Sequence, residues 1–222
     1  MLIPVYNEKD TILEVVRRVQ EQPFAKEIII IDDCSTDGTR KVLEQTVWPP
    51  NVKLLYHDKN RGKGAGIRTG VQAATKDIII IQDADLEYNP SDFGAVLRPI
   101  FDGVADVVYG SRFLGRHRVF MFTHYMGNRV VTLATNILYN TMLTDMETCY
   151  KVMRTEVLRS MTLESNGFGI EPELTAKIFR RRLRVYEVPI SYDGRGYDEG
   201  KKIGWRDGVV AVWVLLKYRF GE

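Results

Sequence analysis

Two runs of isoleucine constrain this chain more than anything else in it: EIIIIDD at 27–33 (after Lys26) and DIIIIQD at 77–83. Consecutive β-branched residues without polar alternation favour a strand, and a strand with no polar face must be covered on both sides. Such strands belong to parallel sheets, whose crossover helices supply the cover. Short apolar runs at 1–5, 52–56 (VKLLY) and 106–110 (DVVYG) predict three more strands. Helical periodicity falls between them, at 9–21, 37–47, 65–75 and 91–101. Start signals agree: Ser35 or Asp37 precedes TRKVLEQ, and Pro90 precedes SDFGAVL. The expected fold class is therefore α/β, a Rossmann-like and mostly parallel sheet with helices on both faces.

After residue 111 the rhythm breaks. A basic and aromatic loop, RFLGRHRVFMFTHY, leads to a small-residue helix near 126–142 and a candidate strand at CYKVM. A helix at 171–182, a strand at RVYEVPISY, a glycine-rich loop and an amphipathic helix from about 205 follow. No repeat or low-complexity linker interrupts the 222 residues, and 45% hydrophobic content suffices for one domain spanning 1–222.

In open α/β sheets ligands sit outside the carboxyl ends of the strands. Strand two ends in Asp32 and Asp33, and strand four in Asp83. A single aspartate there serves equally as a helix cap or turn residue. Asp83 with Asp85 says more, because residues i and i+2 of an extended segment point the same way, and carboxylates so close repel unless a cation shares them. Magnesium or manganese, bridging to a diphosphate, would fill its shell with phosphate oxygens and water. Glu87 extends the acidic cluster.

Other ligand classes fit less well. NRGKGAG at 60–66 lacks the spacing of a phosphate-binding P-loop, and its small residues suit close helix packing. No GxGxxG follows the first strand, which disfavours a dinucleotide oxidoreductase. With 31 Lys and Arg against 29 Asp and Glu, the net charge of +2 gives no field for nucleic acid. Cys34 and Cys149 are too few for a disulfide framework or a zinc site and suit a reducing compartment. MLIPVYNE has no signal-peptide pattern, so none is expected, and the longest apolar run, 209–216, is far below the roughly 20 residues of a membrane span.

PVYNE (4–8), IIDDCSTDGT (30–39), NRGKGAGIRTG (60–70), DADLEYNP (83–90) and GSRF (110–113) stand in the order and spacing of family 2 glycosyltransferases with the GT-A fold. The chain resembles that family over nearly its whole length. TDMETCYKVMR (144–154), GFGIEPELTAK (167–177), EVPISYDGR (187–195) and EGKKIGW (199–205) are similar to its polyprenyl-phosphate branch, the dolichyl-phosphate mannose and glucose synthases. The resemblance implies metal-dependent, inverting transfer of a sugar from a nucleotide diphosphate sugar to a polyprenyl or dolichyl phosphate. EGKKIGW favours UDP-glucose, with GDP-mannose and UDP-N-acetylglucosamine as alternatives. Residues 1–110 become the donor half and 111–222 the acceptor half.

Roles follow by position. Pro4, Tyr6 and Glu8 match the first nucleotide-contacting segment, with Tyr6 either against the base or in the core. Asp33 implies a contact to base or ribose, while Asp32 fixes the loop. Asp83 and Asp85 match the metal-binding DxD, with Ala84 between them lining the donor site. Glu87 is either a further metal ligand or a turn residue. Arg112 falls near the sugar and diphosphate, and Arg195 with Lys201 forms a late basic pair that neutralises the phosphates. EGKK replaces the ESKL of mannose synthases, which leaves Lys201 and Lys202 as alternatives.

The acceptor decides the remaining chemistry. A phosphate monoester with its second pKa near about 6 is already dianionic at neutral pH and needs no base, whereas a hydroxyl does. Asp145 and Glu147 occupy the region where hydroxyl-glycosylating relatives carry that base. On a lipid phosphate they would align the acceptor or make structural hydrogen bonds; on a saccharide or protein hydroxyl one of them becomes essential. A noncatalytic nucleotide-sugar binding module is disfavoured by the DxD and the basic pair. Arg129, in MGNRVVTLATN, faces either the acceptor phosphate or solvent. FMFTHYM with the helix after it, and VVAVWVLLKYRF, carry apolar residues flanked by Arg and Lys, which suits the membrane interface or packing on the sheet. RRRLR at 180–184 is a solvated face or meets anionic headgroups. The expected location is peripheral, on the cytosolic membrane face.

Overall fold

A computed structural model describes residues 1–119, 122–195 and 205–221, apart from the side chains of Trp205 and Arg206. The isoleucine runs become β2 (Ile28–Asp32), buried throughout, and β4 (Ile78–Ile80). β2 pairs in parallel with β1 (Leu2–Val5) on one side and β3 (Val52–Tyr56) on the other. β1 continues the sheet toward β4, because Leu2 bridges Ile81 and the Gln82 amide donates to the Leu2 carbonyl at 2.9 Å. Beyond β4 the direction reverses once. β6 (Lys151–Arg154) runs antiparallel between β4 and β5 (Val107–Ser111), and β7 (Val185–Pro189) closes the edge parallel to β5. The order is β3-β2-β1-β4-β6-β5-β7, mostly parallel as expected.

Helices cover the sheet. α1 (Ile12–Gln20) buries Ile12, Val15, Val16 and Val19, the spacing of one helix face. α2 (Thr39–Gln45), α3 (Lys63–Ala73) and α4 (Phe93–Phe101) fall at the anticipated places, α4 after a 3-10 turn at Pro90–Asp92. α5 (Phe122–Tyr139), α7 (Ile170–Arg180) and α8 (Trp205–Phe220) were also expected; α6 (Thr155–Arg159) was not. Five residues are too few to show a helical period.

Two features of the packing position the site. Gly66 of NRGKGAG brings α3 close to the sheet as anticipated, since a Cβ there would lie 3.2 Å from that of Pro4, but Gly62, whose φ is +86°, and Gly64 serve another contact: a Cβ on either would collide with the carbonyl of Asn166 or Ser165. Gly64 N donates to Asn166 O at 2.7 Å and the Arg68 guanidinium to Ser165 O at 2.6 Å, so the segment before α7 is clasped over the start of α3. α5 and α8 lie side by side in the same direction, with Gly208 near Val131 and the Tyr139 hydroxyl donating to Leu215 O at 2.8 Å. RRRLR is a solvated face, the first of the readings expected of it, with its arginines exposed, and three of them also tie elements together. Arg180 bonds the Tyr218 and Gly221 carbonyls, Arg181 the Ser160 carbonyl, and Arg184 pairs with Asp106.

Candidate active site

The carboxyl ends of β1, β4 and β5 and the segment after β7 meet in one region. Asp83 receives the Lys63 ammonium at 2.7 Å; Lys63 also lies 3.1 Å from Glu171, and the fully buried Lys151 lies 2.6 Å from the other oxygen of Glu171. Acid and base alternate along this buried chain. Burial alone would raise the Asp83 pKa, yet Lys63 holds it below the usual carboxylate range, and its acidic partners keep Lys63 well above its own against the same burial. The sequence reading used the glycines around Lys63 and missed the lysine. Its partner Glu171 lies on α7, so the only available signal was a cation next to a sharp turn.

Asp85 is held differently. The Arg195 guanidinium stands 2.9 Å from Asp85, 3.3 Å from Glu8 and 3.4 Å from Glu87. Burial, then the charges of Asp83 and Glu87, push Asp85 up to about 7 despite Arg195. Hard oxygen donors such as Asp83 and Asp85 suit a divalent cation, which would compete with Lys63 and Arg195 for them. The fit is narrower than anticipated, because no group of three or more His, Cys, Asp or Glu suited to a metal forms among the described residues. Glu87, expected as a metal ligand or a turn residue, is held by protein groups: one oxygen accepts the Tyr192 hydroxyl and the other the Arg195 amide at 2.8 Å. Asp83 and Asp85 are the carboxylates here that could hold a cation.

The first segment lies where it was expected. Pro4 is in β1, Tyr6 is 38% exposed beyond its end rather than in the core, and Glu8 reaches Arg195. Ala84 is buried, its carbonyl accepting the Thr11 hydroxyl at 2.8 Å. Asp33 is committed within the protein. Its carboxylate takes the His57 ring at 2.6 Å, the Arg61 amide at 2.9 Å and the Gly62 amide at 2.6 Å, so it organises the 57–62 turn as firmly as Asp32, paired with Arg40 at 2.7 Å, fixes its own loop. Lys201 and Lys202 lie outside the described residues.

Just past β5, Arg112 forms a two-pronged pair with Asp145, with both distances 2.7 Å. Asp145 also accepts the Arg112 amide at 3.1 Å and the Asn128 amide group of α5 at 3.0 Å. Burial would raise its pKa, but Arg112 and these donors hold it below the usual range. Such a carboxylate is a fixture for Arg112, the structural of the roles foreseen for it, and a poor base. The Arg112 guanidinium also stacks 5.2 Å from the Tyr192 ring, whose hydroxyl holds Glu87, so Tyr192 links the two halves of the site. Glu147 contrasts with Asp145: its Oε1 is buried without a hydrogen-bond partner, and burial, aided by Glu171 against the pull of Lys151, raises it to about 7. Arg129 is exposed on α5.

A sheet of this order with acids at its strand ends, faced by Arg112 and Arg195, is the make-up of a sugar-nucleotide transferase. The pattern of Glycosyl transferase family 2 matches residues 1–162, and the chain belongs to that family, an enzyme of GT-A fold. Among its relatives, it is 30% identical over 194 residues to glycosyltransferase AglJ of Haloferax volcanii, covering 86% of this chain and 62% of that one. It is 28% identical over 240 residues to the undecaprenyl-phosphate mannosyltransferase of Micrococcus luteus, covering 99% and 98%. The chain thus spans less than two thirds of AglJ and nearly all of the mannosyltransferase. Among solved structures, glucosyl-3-phosphoglycerate synthase from Mycobacterium tuberculosis in complex with Mn2+, UDP-glucose and phosphoglyceric acid matches with a TM-score of 0.74 at 19% identity, over 98% of this chain and 78% of that one, a likeness of fold.

Proposed function

We propose that the chain, acting as one domain, transfers a hexose from a nucleotide diphosphate sugar to a polyprenyl phosphate with inversion, at the cytosolic face of a membrane. The observation that carries this reading is the Arg112–Asp145 pair, which takes up one of the two carboxylates that could serve a hydroxyl acceptor and leaves an arginine fixed on the acceptor side. The similarity to an undecaprenyl-phosphate mannosyltransferase along the whole chain supports the same acceptor. An acceptor phosphate oxygen attacks the anomeric carbon as the bond to the nucleotide diphosphate breaks on the opposite face. No proton has to be removed, so catalysis rests on positioning and on stabilising charge. A magnesium or manganese ion held by Asp83 and Asp85 would offset the charge on the departing diphosphate. Arg195 adds positive charge beside it, and Tyr6 and Glu8 face the nucleotide.

The donor sugar is the open term. The relatives' names favour mannose, whereas EGKKIGW favoured UDP-glucose. Labelled GDP-mannose, UDP-glucose and UDP-N-acetylglucosamine, each with polyprenyl phosphate and Mg2+ or Mn2+, decide it. One donor should carry label into the organic phase. Label that stays water-soluble with all three, while a saccharide becomes glycosylated, would overturn the reading. Glu147 favours that second possibility, since an unpartnered carboxyl titrating near neutrality has the make-up of a general base.

A further inference from the structure

The inner sides of α5 and α8 belong to the core, with Val131, Thr132 and Thr135 of α5 and Ala211, Val214 and Leu215 of α8 buried. Their outer sides are unusual for a protein surface. Along α5 the exposed positions Met126, Leu133 (59% exposed) and Ile137 (72%) recur at helical spacing, and along α8 Val209, Trp213 (61%) and Phe220 do the same. Two amphipathic helices packed side by side would ordinarily turn polar residues outward. Here apolar stripes face solvent on both, and a contiguous patch of this kind marks an interaction surface.

The surrounding charge says what covers it. No acidic residue occurs between Asp106 and Asp145, a stretch that exposes Arg116, Arg118 and Arg129. α8 adds Arg219 at its end; its Lys217 is paired with Glu164 at 2.8 Å, and its acid, Asp207, lies in the first turn. The whole chain carries only +2, so this asymmetry is local. We infer that the outer face of the α5–α8 pair docks on an anionic phospholipid bilayer, its aliphatic and aromatic side chains in the interface and its arginines at the headgroups. A second copy of the chain suits the face less well, because a twofold contact would set the basic rim against itself.

The placement rests on the reading of a lipid acceptor and deepens it. The inner side of α5 holds the acceptor half of the site, through Asn128 on Asp145 and through the Thr132 hydroxyl, which accepts the Met146 amide at 3.1 Å. One helix, about 10 Å across, then separates bilayer from site. A phosphate on a membrane-embedded chain would reach Arg112 without leaving the headgroup layer.

The test measures binding to vesicles of phosphatidylcholine, alone or mixed with phosphatidylglycerol, with no donor or acceptor present. Wild type should partition to the mixed vesicles, lose binding as salt rises, and show a blue shift in tryptophan emission that is absent from Trp213→Phe. Leu133→Glu with Ile137→Glu should lower the partition coefficient roughly tenfold or more while leaving the melting temperature and turnover of a short, water-soluble polyprenyl phosphate unchanged. Equal binding by this double variant, no binding by wild type, or a wild-type dimer that the double variant dissolves would each overturn the inference. Because binding is read without substrate, the two readings separate. A protein that binds vesicles yet glycosylates only saccharides keeps this face and loses the acceptor assignment, and one that makes glycolipid without binding vesicles does the reverse.

Discussion

Asp145 and Glu147 stand two residues apart and differ in everything that sets a carboxylate's chemistry. Asp145→Asn would leave the Arg112 guanidinium buried without its counter-charge, a loss of about 3 to 5 kcal/mol, visible as a lower urea midpoint together with lost turnover. Glu147→Gln removes no partner. It should keep most of kcat on polyprenyl phosphate, whereas a hydroxyl acceptor would make it cost about 10² to 10⁴ in rate. Glu147 also gives stability a pH dependence. Its carboxyl is raised from 4.5 to about 7, so the folded protein holds a proton that the unfolded chain has already released. That contribution is complete below the unfolded value and is lost as pH rises through about 7, on the order of 3 kcal/mol. Denaturation curves for Glu147→Gln should lack most of this fall; an identical fall would show that the proton sits elsewhere. Arg195 makes a different prediction, since its guanidinium neutralises Glu8, Asp85 and Glu87. Arg195→Ala should bind Mn2+ alone several-fold more tightly by calorimetry and yet turn over more slowly, and weaker metal binding would contradict its placement.

At the scale of elements, the strands and most helices were legible because isoleucine runs and helical periods are local signals. The site was legible only in part. Asp83, Asp85, Arg112 and Arg195 sit in local motifs, but the Lys63–Glu171 pair joins the start of α3 to the start of α7, and nothing near either residue announces the other. Asp33 and Glu87 were placed by motif, but their partners His57, Tyr192 and Arg195 lie far along the chain and could not be read from it. The α3–α7 junction is open to test. Glu171→Gln leaves Lys151, which is fully buried, without its carboxylate and should cost about 3 to 5 kcal/mol, near 10 °C in melting temperature. Adding Lys151→Met should restore much of that loss, because both charges are then gone; if the double variant melts no higher than the single one, the pair does not hold the junction.

For the molecule as a whole, the fold and the chemistry should separate under chelation. Lys63 and Arg195 already neutralise the acids at the end of β4, so protein stripped with EDTA should melt near its usual temperature while losing turnover. Donor with Mn2+ at about 100 times its Kd should then raise stability by about 2.7 kcal/mol. A chelated enzyme with full activity would remove the metal from the reaction. The reversed strand bears on how such a molecule is made. β3, β2 and β1 come from the first quarter of the chain, but β4 and β5 share no hydrogen bond and are joined only through β6, which begins at Lys151. On a ribosome adding roughly 5 to 20 residues per second, the open edge of β4 waits several seconds for that partner, with isoleucines exposed to neighbouring nascent chains. Soluble yield should therefore depend on how quickly codons 111 to 150 are translated.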